Sequence, residues 1–196
     1  REVLHGVDMI LPPESFISLV GPSGCGKSTL AEIICGKLKN YKGEIKVGCE
    51  GRSMNLYDIR EAELLSHVVL VKTASHLFKG TIEENLRIAK KDAGEQELLD
   101  ALDAVHLLTF IRERDGLQTQ IEAGGANLSA GEAQRLAIAR ALLKDAEVLV
   151  FDEATSNIDA SSEEYIMNVI RALAKRKTVL LISHRLCNVT ESDCIY

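Results

Sequence analysis

Residues 16–29 read FISLVGPSGCGKST, and this stretch decides the fold. The run FISLV is mostly apolar and breaks at Gly21, the pattern of a short buried strand bounded by a turn residue. From Ser28 to about Leu38 the apolar residues Leu30, Ile33 and Ile34 recur at helical spacing. Strand, glycine-rich loop and helix therefore follow one another directly. Residues 21–29 satisfy G-x-x-x-x-G-K-S/T in the context that gives the motif its meaning. Gly21, Gly24 and Gly26 let the backbone turn tightly and approach a ligand closely. Loop N–H groups and the positive end of the helix then face an anion. Lys27 supplies a point charge for the outer phosphates, and the Ser28 hydroxyl is a magnesium ligand. The phosphate-binding set is thus Gly21, Pro22, Ser23, Gly24, Cys25, Gly26, Lys27, Ser28 and Thr29.

Working outward, VVLV (residues 68–71), VLVF (148–151) and VLLI (179–182) are further buried strands. Helical patterns separate them, including one over 163–174. Strands alternating with helices predict an α/β fold with a mostly parallel sheet covered on both faces. Residues 3–11 are expected to form an outer strand ended by Pro12 and Pro13, and residues 44–47 a half-exposed strand. These fit a small antiparallel β subdomain. Residues 81–143 read as mostly helical. Within them, residues 95–112 carry Leu98, Leu99, Leu102, Val105, Leu108 and Ile111 as one amphipathic stripe. The expected organisation over 1–196 is a core of about 1–72 and 146–196, with an inserted helical subdomain at about 73–145. VLVF runs straight into Asp152 and Glu153. Ligands in open α/β sheets bind at the carboxyl ends of strands. Asp152 is therefore placed to hold the magnesium ion bound by Ser28. Glu153 can orient or deprotonate a water for in-line attack on a terminal phosphate.

The 196 residues are 46% hydrophobic and 27% charged, ordinary values for one globular domain with or without an insertion. The net charge of −6 gives no basic stripe, so no nucleic-acid partner is expected. Cys25, Cys35, Cys49, Cys187 and Cys194 lack metal-type pair spacing and read as buried free thiols in a reducing compartment. No apolar run approaches the ~20 residues that span a bilayer, and no signal peptide opens the chain. As given, the chain is expected to be soluble. It opens on Arg1 and stops at Tyr196 after a strand-like stretch, so it is expected to be a fragment of a longer chain.

Residues 128–135, LSAGEAQR, complete an ordered set that resembles the ATP-binding cassette (ABC) ATPases. They are similar to that family's signature motif, LSGGQ followed by a helix containing QR. Residues 154–159, ATSNID, resemble its D-loop, and His184 stands where its switch histidine stands. LFKGTIEENL (77–86) and GGANLSAGE (124–132) are similar to exporter-type cassettes in particular. The resemblance covers essentially the whole chain, in the family's order, and argues against a P-loop kinase. It implies the P-loop NTPase fold, ATP with Mg2+, and head-to-tail pairing with a second cassette, identical or not. It also implies a transmembrane domain as partner and the cytoplasmic face of the cell membrane as location. Ser129, Ala130, Gly131 and Glu132 would contact the ATP held by the partner chain, with Asp159 in the D-loop. Glu153 would be the general base, and His184 would hold the γ-phosphate and attacking water.

The sequence departs from the family at four points. Thr73 stands at the position of the Q-loop glutamine, and no glutamine precedes Gln96. Its hydroxyl is a metal-compatible oxygen but shorter, so a bridging water or weaker metal binding with slower turnover is expected. Ala130 replaces a glycine and Glu132 a glutamine. The S-x-x-E spacing of Ser129 and Glu132 is also that of a capping box; the alternative is that Glu132 tunes the partner's nucleotide by its charge. Residues 119–123, TQIEA, match the exporter X-loop only loosely. No aromatic residue precedes Phe16 to stack on adenine. Two other functions compete with that of a transport ATPase: a nucleotide-gated regulatory cassette with weak hydrolysis, and a soluble ABC ATPase acting on DNA or ribosomes. The intact Glu153 and His184 oppose the first. The absence of long helical insertions and basic surfaces opposes the second.

Overall fold

A computed structural model describes residues 3–49, 52–73, 76–156 and 158–196, with Cys49 by its backbone alone. Asn157 of the D-loop-like stretch lies outside the described residues. In chain order the elements are β1 (Phe16–Leu19), α1 (Lys27–Ile34), β2 (Lys46–Cys49), β3 (Arg52–Asn55), α2 (Glu61–His67), β4 (Val68–Lys72), β5 (Gly80–Thr81) and α3 (Ile82–Arg87). They continue with α4 (Glu95–Ala104), α5 (Leu108–Arg112), β6 (Gln120–Ile121), α6 (Ala130–Leu143), β7 (Val148–Asp152), α7 (Ala160–Ala174), β8 (Thr178–Ile182) and β9 (Cys194–Ile195). The main sheet runs β4-β7-β8-β1-β9, and each neighbouring pair is parallel. Two small antiparallel pairs, β2 with β3 and β5 with β6, stand apart from it.

The continuous apolar strands are explained by burial on both faces. Side chains alternate across a strand. Phe151, Val179 and Leu181 join the larger apolar cluster with α4, α6 and α7. Val150, Leu180 and Ile182 join a second cluster with Ala31 of α1, Cys35 just past its end and Leu64 of α2. A parallel sheet needs such cover on both sides, because its crossovers place helices there. The fold is that of a P-loop NTPase, with the helices α3 to α6 lying in sequence between β4 and β7.

Three expectations are corrected. Residues 3–11 form no strand: Gly6 turns the segment at φ 56°, and Ile10 donates its amide to the Tyr196 hydroxyl at 3.1 Å instead of to a ladder. The helix after the phosphate loop ends at Ile34, because the amides of Lys37 and Leu38 both turn back to the Glu32 carbonyl. The stripe over 95–112 is two helices, not one. His106 adopts φ 55° and the Leu107 amide reaches back to the Leu102 carbonyl at 2.8 Å, closing α4. The break shifts the helical phase, so Leu107 is buried where the unbroken pattern had chosen Leu108.

Candidate functional site

Strand order assembles the site. β4, β7, β8 and β1 are neighbours, so the segments leaving their carboxyl ends emerge in one row. These carry, in spatial order, Thr73, Asp152–Glu153, His184 and the phosphate loop. Gly26 caps α1 at φ 107°, a left-handed conformation that costs a side-chain-bearing residue of order 1–3 kcal/mol. The turn aims the first amides of α1 into the loop, where the partial positive charge of a helix start favours an anion. Lys27 is buried, and its ammonium donates to the carbonyls of Gly21 at 2.9 Å and Pro22 at 2.8 Å. The loop thus holds a desolvated cation within itself, with Cys25 exposed beside it.

Ser28 joins the loop to the neighbouring strand end by donating its hydroxyl to Asp152 Oδ1 at 3.0 Å. Burial pushes the Asp152 carboxyl above the ordinary range; the Ser28 hydrogen bond opposes the shift, and the Glu153 charge adds to it. A hydroxyl and a carboxylate at this distance form a hard-oxygen donor pair. The pair fits a magnesium ion, which takes one or two protein oxygens and keeps waters or phosphate oxygens for the rest.

Glu153 leaves β7 at φ 52°, with its amide donated to the Ile182 carbonyl at 3.0 Å. Its carboxylate Oε1 lies 2.5 Å from His184 Nε2 across the neighbouring strand end. Both side chains are only about one-third exposed, at 34% and 39%, so the pair is partly withdrawn from water yet reachable. Such a pair can orient a water and accept its proton. Thr73 turns its hydroxyl to main-chain carbonyls, with that of Asp152 at 3.5 Å, rather than to the Asp152 carboxylate or the Ser28 hydroxyl. It donates to the Glu153 carbonyl at 2.7 Å and lies 2.9 Å from the Ser156 hydroxyl.

The remaining predicted residues lie at two helix starts. Ser129 and Glu132 form a reciprocal capping box: Glu132 donates its amide to the Ser129 hydroxyl at 3.2 Å, and the Ser129 amide donates to the Glu132 carboxylate at 2.8 Å. Ala130 opens α6 in an exposed position. Gly131 is buried, and a Cβ there would meet Ser162 Oγ at 2.5 Å, so the close approach of α6 to α7 requires glycine. Asp159 caps α7 by accepting the Ser162 amide at 2.9 Å. Hydrogen bonds from the Ser161 hydroxyl and then from Ser162 hold its carboxyl far below the ordinary range.

Sequence reasoning missed Glu163. It is buried in α7, pairs with Arg185 and accepts Asn188 Nδ2 at 2.8 Å. It thereby ties the segment carrying His184 to α7. In sequence it looks like an ordinary acid in a helix's first turn, where negative charge is favoured without any partner. Only its tertiary partners distinguish it.

A parallel sheet that gathers a phosphate loop, an Asp-Glu strand end and a histidine in adjacent turns defines a nucleotide-binding domain of the P-loop NTPase class. The family model for ABC transporters matches residues 4–156. An uncharacterised ABC transporter ATP-binding protein of Haemophilus influenzae is 43% identical over 195 residues, covering all of this chain and 34% of that protein. An ATP-dependent lipid A-core flippase of Chromobacterium violaceum is 38% identical over 193 residues, covering 98% of the chain and 32% of the flippase. The solved structure of a bacterial Atm1-family ABC exporter with ATP bound superimposes with a TM-score of 0.89 at 33% identity, over 100% of this chain and 34% of that one. This chain belongs to the ABC transporter family, as an exporter-type nucleotide-binding domain. It spans about a third of the length of the curated relatives it matches. No helix of the described residues is long and apolar enough to cross a membrane.

Proposed function

We propose that this chain binds Mg-ATP and hydrolyses it, and that in the whole protein this drives export from the cytoplasmic face of the cell membrane. The observation that carries the proposal is the conjunction of two pairs at adjacent strand ends: Ser28 with Asp152 at 3.0 Å, and Glu153 with His184 at 2.5 Å. Loop amides of residues 21–29 and the Lys27 ammonium bind the phosphates. Ser28 and Asp152 are the oxygens that would hold Mg2+, which when bound neutralises charge on the outer phosphates. Glu153 accepts a proton from water as the water oxygen attacks the γ-phosphorus and the bond to the ADP oxygen breaks. His184 orients that water and the γ-phosphate. The short Glu153–His184 contact keeps base and orienting group in one unit.

The exposed start of α6 supports the head-to-tail arrangement. Ser129, Ala130, Gly131 and Glu132 would meet the ATP of a second cassette, with Asp159 nearby at the start of α7; Gly131 and Asp159 are already close in this chain, since a Cβ on Gly131 would lie 3.6 Å from Asp159 Oδ2. Residues 73–145 would act as the unit that meets the transmembrane partner. The test is trapping. Glu153→Gln keeps the shape of the base and removes its proton affinity, so with ATP and Mg2+ it is expected to sediment as a dimer, and without ATP as a monomer. Sedimentation as a monomer at saturating ATP contradicts the paired arrangement.

A further inference from the structure

Glu153 holds a left-handed backbone at φ 52°, a conformation a bulky residue keeps only where its surroundings over-determine it. Its peptide is gripped from both neighbouring strands. On one side its amide donates to the Ile182 carbonyl of β8 at 3.0 Å. On the other its carbonyl lies within donor reach of the Ser156 amide at 2.9 Å and of two hydroxyls that are themselves 2.9 Å apart, Ser156 at 2.8 Å and Thr73 at 2.7 Å. The two Ser156 donors come from the same turn as Glu153. Thr73 comes from the end of β4, the strand on the far side of β7 from β8. Its hydroxyl is thus a cross-strand tie to the turn from that side.

We propose that Thr73 is a positioning residue: its hydroxyl clamps the Glu153 carbonyl, fixes the strained turn, and so aims the Glu153 carboxylate at His184. The inference rests on the reading of Glu153 as general base. It assigns the side chain at the Q-loop position to the peptide behind the base, not to the metal. The short side chain suits this task, because the Glu153 carbonyl lies within direct hydrogen-bond reach of the end of β4. Freeing that peptide lets the carboxylate drift relative to His184. Misplacement of a reacting group by about 1 Å costs on the order of a hundredfold in rate.

The experiment compares the native chain with Thr73→Val, which keeps the shape and removes the hydroxyl, and Thr73→Ser, which keeps the hydroxyl. Steady-state phosphate release with Mg-ATP and amide hydrogen exchange over residues 154–156 are measured for each. In Thr73→Val, kcat is expected to fall about ten- to a hundredfold with KM changed by less than about twofold. Exchange in the turn is expected to quicken, and Thr73→Ser to restore both. Native kcat and native exchange in Thr73→Val, or equal losses in the valine and serine variants, overturn the proposal. If the native chain releases no phosphate, the base assignment fails, and exchange alone decides the clamp.

Discussion

At the scale of single residues, environment sets chemistry more than identity does. Cys25, Cys187 and Cys194 are exposed, against the expectation of buried thiols, whereas Cys35 is packed under the sheet beside Ala31 and Leu64. Burial pushes the Cys35 thiol from its ordinary 9.0 up to about 12, because the thiolate cannot be solvated there. A raised folded-state value contributes stability that is fully present below pH 9.0 and is lost as pH climbs toward about 12. Denaturant titration of the native chain and Cys35→Ala across that window should show the native chain losing stability faster with rising pH. Parallel slopes would mean that the thiol is not held protonated by the core. The same contrast applies at the site, where a buried Asp152 and a partly exposed Glu153 stand side by side with different partners, Ser28 and His184.

At the scale of elements, the replacement of glutamine by Glu132 in the signature-like stretch is accounted for by the helix it begins. The α6 capping box satisfies an amide on each side of the helix start, and either glutamate or glutamine can close it. Glu132→Gln should therefore leave the melting temperature unchanged. Glu132→Ala should lower it by about 2–4 °C, the shift expected for the loss of about 1 kcal/mol in a domain of this size. A drop in the glutamine variant equal to that in alanine would mean that charge, not capping, matters there. The capping box was legible in the sequence because it is local: its partners lie three residues apart. The phosphate loop and the Asp152–Glu153 strand end were legible for the same reason. The break at His106 was not, because a single left-handed residue interrupts α4 without disturbing the apolar count on either side. Nor could the partners of Thr73 be read, since Glu153 and Ser156 lie some eighty residues away and meet it only through the β4–β7 pairing.

At the scale of the whole molecule, one feature of topology does most of the assembly. The order β4-β7-β8-β1 brings into one row four strand ends separated widely in sequence. Alternating burial of their side chains in two apolar layers fixes each strand's register, because a slip of one residue would exchange the layers. The phosphate loop, the paired acids and the histidine are therefore held by the core itself, while the starts of α6 and α7 present Ser129 and Asp159 at exposed positions. Under the proposed function, this divides the chain into a built half-site and an outward-facing half-site that a second cassette would complete. The direct measurement is phosphate release with Mg-ATP over a range of chain concentration, for the native chain and Glu153→Gln. Release is expected to rise more steeply than linearly with native chain concentration, as pairing completes each site, and to be absent from the variant. Release strictly proportional to concentration, or undiminished in Glu153→Gln, would overturn the paired site and its base.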